Sequence, residues 1–146
     1  LVQEPALTLL QSSGARVLVN AMSLADAQKY LGGTYEFMGV SVRAKEIEQR
    51  RPEMVALAKA LAEALRALRQ MTGEQLGAIF PKELTTGLDL KELGEIIARH
   101  RESLYPETAN IDFDAAKRVE QSLIAGGLLK PGASMSGLHD TTIVGG

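Results

Sequence analysis

At 146 residues the chain has room for one domain with a core of ordinary size, and 45% hydrophobic with 23% charged residues describes a globular polypeptide rather than a disordered one. The formal net charge of −2, with both signs interspersed, lacks the broad positive field that phosphate backbones demand and argues against nucleic acid as a partner. Zero cysteines exclude disulfides and thiolate metal sites while leaving the redox compartment open, and no apolar run approaches the roughly 20 residues needed to cross a bilayer.

The first residues, LVQEPALTLL, carry neither an initiator Met nor a basic stretch ahead of an apolar core. They read as a mature or truncated piece, with Leu1 and Val2 as the tail of a strand. Pro5 suits a first helical position, Glu4 the N-cap before it, and Gly14 the C-terminal cap of a short helix from Ala6 to Ser13. Arg16 to Asn20 is a β-branched run between breakers, which predicts a buried strand. Ser23 caps a second short helix, with Asp26 in its first turn, and Gly32-Gly33 stops it. A phosphate loop needs more glycines at fixed spacing and a helix opening after them; here a helix closes before them.

Thr34 to Val42 places Tyr35, Phe37, Gly39 and Ser41 on one face and Glu36, Met38, Val40 and Val42 on the other. Neither face is cleanly polar, so the pattern predicts a strand covered on both sides. From Pro52 to about Met71 runs the clearest helix, with Met54, Leu57, Leu61, Leu65 and Leu68 in one stripe and alanines filling much of the rest. Small side chains on several sides predict a central position for it. Thr72 to Gln75 forms a capping box for a short helix ended by Pro81. Asp89 to Glu92 repeats the device, with Leu88 and Leu93 as a staple, for a helix to about Leu104 that buries Leu90, Leu93, Ile97 and Leu104. Asp112 opens a further helix with Ala116, Val119 and Leu123 on one stripe, closed by Gly126-Gly127. Residues 134 to 146 read as irregular, with a short strand at Thr142 to Val144.

Groups with the chemistry of an active site are few. Ser136, His139 and Asp140 supply the residue types of a triad but crowd into a Gly-rich tail without a nucleophile turn, and turn residues are the stronger reading. His100 and His139 are the only histidines, and neither has a second ligand at helical metal spacing, so no metal or other cofactor is expected. Arg50 and Arg51 read as a solvated approach to the long helix.

Taken in order, EP at 4–5, GARVLV at 14–19, DAQKYLGG at 26–33, YEFMGVSVR at 35–43, RPE at 51–53 and AAKRVEQSLIAGGLLKP at 115–131 resemble the C-terminal half of solute-binding proteins. The family serves ABC importers for nitrate, aliphatic sulfonates, taurine and thiamine-pyrimidine precursors. The likeness spans nearly the whole chain and implies a helix-rich α/β piece, with few strands, of a bilobed periplasmic-binding-protein type II fold. Residues 1–38 would finish the second lobe, and 39–146 would hold the return crossing and the helical end of the first. The resemblance implies a non-enzymatic receptor, periplasmic or membrane-anchored and extracytoplasmic, whose partners are a small anionic or heterocyclic solute and a membrane permease. Its ligand contacts would include Glu4, Tyr35, Ser41 and Arg43, the last able to pair an anion bidentately. Two rivals are a thiamine-pyrimidine synthase-like enzyme, whose reactive histidine and metal-binding cysteines find no match here, and a helical interaction module using the Leu57 to Leu68 stripe. A missing half would also leave apolar surface exposed and favour self-association of the fragment.

Overall fold

The computed structural model describes all residues except 1, 5, 37, 82, 84–88 and 145–146. The expectations for Leu1, Pro5, Phe37 and Leu88 therefore lie outside the described residues. Among the described residues seven α-helices follow in chain order: α1 Ala6–Ser12, α2 Leu24–Asp26, α3 Ala44–Gln49, α4 Arg51–Gln70, α5 Gly73–Ile79, α6 Leu90–Leu104 and α7 Phe113–Ala125. A π-helical turn, Ala27–Leu31, extends α2, and a 3-10 turn covers Ser136–Leu138.

Local chemistry set most of the helix boundaries. Thr72 and Gln75 exchange hydrogen bonds at 3.2 and 2.9 Å, the reciprocal capping box that opens α5. Asp89 and Asp112 each accept two first-turn amides, opening α6 and α7. Replacing Asp112 by alanine is expected to cost about 1 kcal/mol, read from urea denaturation, because two first-turn amides lose their acceptor. Phe80 is extended ahead of Pro81 and ends α5, since the proline ring disfavours a helical residue before it. Gly32 takes the left-handed conformation, φ 78°, that terminates the π turn. Sequence patterning missed α3, whose six residues, AKEIEQ, hold only one large apolar side chain.

The core is thin and lies between α5 and α6. Gly73 and Gly77, one turn apart on α5, meet Gly94 of α6 backbone to backbone, and a Cβ at Gly94 would collide with the Gly73 carbonyl. Around this contact Leu76, Ile96 and Ile97 are buried, while Ala115 and Ala116 of α7 and Ala27 supply the remaining buried apolar residues. Of the α6 residues expected to be buried, Ile97 is; Leu90, Leu93 and Leu104 are half-buried. On α7 Ala116 is buried, with Val119 and Leu123 half-buried.

Two expectations are corrected. Among the described residues there is no strand: 16–20, 34–42 and 142–144 are irregular or turn, and none of 16–19 or 38–42 joins a backbone–backbone hydrogen bond. A strand is stabilised by its ladder, and these segments have no neighbour to pair with, whatever their β-propensity. The helix-rich half of the fold-class expectation stands; the sheet does not form. The second correction concerns α4, which is peripheral rather than central and buries none of its residues. It packs near its start on α3 and against α6.

At its C-terminal end α4 is held by two arginines, Arg101 and Arg69. The Arg101 guanidinium on α6 donates to the carbonyls of Leu68, Arg69 and Met71 at 3.0, 2.8 and 2.8 Å. Those carbonyls belong to the last turn, where intrahelical donors run out and the helix dipole is negative, so a cation there is doubly suited. Arg69 answers from α4, donating to the Tyr105 carbonyl at 3.1 Å.

Candidate functional site

The larger concavity is an open groove of about 620 Å³ between the 20–24 turn and the C-terminal half of α6, lined by Asn20, Ser23, Arg99, His100 and Arg101 among others. Its turn side is locked by local bonds: Asp26 accepts from the Asn20 amide at 2.9 Å, Asn20 from Met22, and Ser23 from Asp26. On the helix side Arg101 is committed to α4, and Ser103 donates to the His100 carbonyl at 3.0 Å. Arg99 and Glu102 are exposed. The groove offers a polar, partly cationic wall.

A smaller cavity of about 180 Å³ is lined by Asn110, Ile111, Phe113, Asp140, Thr141 and Val144. His139 meets the Phe113 ring edge-on nearby, with centroids 5.7 Å apart. Asp140 is occupied by Thr142, whose amide and hydroxyl both donate to it, while Ser134 donates to Ser136. Among the described residues Ser136 and His139 are joined only by the backbone bond from the His139 amide to the Ser136 carbonyl at 3.5 Å, no side-chain hydrogen bond links Ser136, His139 and Asp140 as a triad, and no group of three His, Asp or Glu is placed to hold a metal ion.

The four residues expected to contact ligand line neither concavity. Glu4 caps α1, accepting from the Thr8 amide and hydroxyl at 3.1 and 2.9 Å. Tyr35 reaches α7, its hydroxyl 2.9 Å from the Ser122 hydroxyl. Arg43 pairs with Glu46 at 3.1 Å on the surface, and Ser41 is exposed. Around Tyr35 the chain is pinned to α7 by two groups that sequence reading did not single out. Arg118 donates to the Thr34 carbonyl at 2.7 Å, its guanidinium filling the space a Cβ on Gly33 would need. Glu36 accepts from the Asp112 amide at 3.0 Å. No spacing could have revealed these pairs, because partners 76 to 87 residues apart meet only through the fold.

One polar cluster ties the chain's end to the start of α4. Arg51 donates to the carbonyl and hydroxyl of Thr142 at 3.4 and 3.2 Å and to Glu48. The Glu48 carboxyl is held below the ordinary carboxylate range, first by the Arg51 hydrogen bond and then by its charge. Hydrogen bonds from the Thr142 hydroxyl and amide hold Asp140 down in the same way. A depressed folded value contributes fully above the unfolded carboxylate range of about 3.9–4.3 and is lost as pH falls through the folded value. Amide exchange at Thr142 is therefore expected to be insensitive to this equilibrium near neutrality and to accelerate, beyond the intrinsic rate, once acidification passes below that range.

No helix among the described residues is long and apolar enough to cross a membrane. Comparison with protein-family models, with curated proteins and with solved structures gave no match to the chain.

Proposed function

We propose that the chain is part of the substrate-binding component of an ABC importer, which captures a small anionic or heterocyclic solute between two lobes and presents it to a membrane permease outside the cytoplasm. The observation that carries the reading is the state of residues 16–19 and 38–42. They have the composition of interior strands, yet Leu18, Met38 and Val40 stand 75%, 80% and 62% exposed, and among the described residues none of 16–19 or 38–42 joins a backbone–backbone hydrogen bond. Buried strands deprived of their sheet would look like this, because β-branched runs are retained in sequences for a pleated surface that covers them. The order of motifs from Glu4 to Pro131 supplies the family.

In this reading Tyr35, Ser41 and Arg43 flank the crossing between lobes, and closure over the solute does the work that an enzyme would assign to catalytic groups. Sequencing the gene upstream of Leu1 tests it: a secretion signal and roughly another domain of coding sequence are expected. An in-frame stop immediately before Leu1 would sink the proposal. Calorimetric titration of the encoded protein with nitrate, sulfonates and pyrimidines should then give a single-site isotherm with one class. For an anionic solute, Arg43→Ala should weaken binding about tenfold or more, the loss of one charge-assisted hydrogen bond.

A further inference from the structure

The long helix α4 presents an apolar stripe that the fold covers only in part. Met54, Leu65 and Leu68 are half-buried, and Leu57 and Leu61 remain 46% and 41% exposed. Contiguous exposed apolar faces of this kind mark interaction sites. The accessible area of the whole chain is 10751 Å², roughly 3,500 Å² above the ~7,300 Å² that size scaling gives a folded 15.7 kDa chain, so the molecule as a whole has surface to bury against a partner. A standard interface needs only about 800 Å² from each partner, and obligate dimers about 1,000 Å² or more.

We infer that α4 pairs with α4 of a second copy, antiparallel, about a two-fold axis passing beside Leu61. The spacing of the stripe is what selects this occupant. Its members fall at Leu61, at four residues to either side (Leu57 and Leu65) and at seven to either side (Met54 and Leu68). On a helix with 3.6 residues per turn all five lie within about 40° of one line. Because the set maps onto itself when the helix is reversed about Leu61, an identical helix run the other way meets it layer for layer: Leu61 against Leu61, Leu57 against Leu65, Met54 against Leu68. That self-complementarity is what an isologous interface requires. Ala58 and Ala64 flank the centre, and their small side chains let the two backbones come close. The 20-residue helix gives a seam about 30 Å long.

The helix α1 also exposes Leu9 and Leu10 but has only 7 residues against the 20 of α4, and a further competing surface is the exposed apolar residues of 38–42. They are irregular, so docking through them must first order the backbone, whereas α4 is already a regular helix and its stripe needs no rearrangement. The inference does not rest on the importer reading, since it concerns only the surface these 146 residues present.

Sedimentation equilibrium of the 146-residue chain should give twice the 15.7 kDa chain mass. Leu61→Arg should weaken dimerisation at least about 100-fold, by placing two unpaired cations at the centre of the seam, with far-UV dichroism unchanged. Because the chain has no cysteine, the register can be read directly under mild oxidation. Leu61→Cys should cross-link to itself, and Leu57→Cys should cross-link to Leu65→Cys in a mixture. Lys59→Cys, on the opposite face, should do neither. A wild-type monomer would overturn the inference, as would cross-linking at position 59 equal to that at 61, which would place the association on another face. The cysteine series decides the matter even where the arginine variant fails to fold.

Discussion

Replacing Gly94 by valine is expected to remove about 3 kcal/mol or more of folding stability, large enough to leave a chain with so thin a core mostly unfolded. The reason is geometric. A Cβ at Gly94 would occupy the position of the Gly73 carbonyl, and the Gly77 amide lies close behind it. Side chains yield to an intruding methyl, but backbone atoms in two packed helices move only if the helices separate. Separation would uncover Leu76, Ile96 and Ile97, three of the few buried apolar residues the molecule has. Gly39 provides the control: nothing lies within 4 Å of the position a Cβ would take there, and its φ is not positive. Gly39→Ala should therefore change stability by no more than about 0.5 kcal/mol in the same urea titration. Equal losses at the two positions would mean that the α5–α6 contact is not the centre of the fold.

Replacing Arg101 by methionine, which keeps the length and apolar stem of the side chain, is expected to cost about 2–3 kcal/mol. Three carbonyls of the last α4 turn lose a charged donor at once. Arg101→Lys should recover only part of the loss, because an ammonium group is compact and cannot span three acceptors as a planar guanidinium does. Hydrogen exchange would localise the effect: amides in the last turns of α4 should lose protection in the methionine variant, while those of α5 keep theirs. Uniform loss along the whole chain would show that Arg101 supports the core rather than the helix end.

The sequence was most informative where the physics is local. Ser23, Thr72, Asp89 and Asp112 cap helices as their neighbours predict, because a cap joins groups two or three residues apart. The glycine contact was half legible: Gly73 and Gly77 stand at the four-residue spacing that lines one helix face, although their partner Gly94 could not be read from it. The apolar stripe of α4 was fully legible, and its place was not, since amphipathicity says that a face wants cover without saying what covers it. Of the four residues expected to meet ligand, the environments of Glu4 and Arg43 follow from neighbours three or four positions away. Tyr35 was beyond reach, because Ser122 lies 87 residues further on.

By itself, then, the sequence determined most of the helices other than α3, their caps and stops, and the absence of cysteine chemistry. The tertiary structure alone decided that 16–20, 34–36 and 38–42 do not become strands, since a ladder needs a second strand and local propensity cannot provide one. It also decided that the core falls on the glycine-mediated crossing of α5 and α6, where the shortest side chains allow the closest approach. The long Leu-striped helix, the most conspicuous pattern in the sequence, is left at the surface with its apolar face only partly covered.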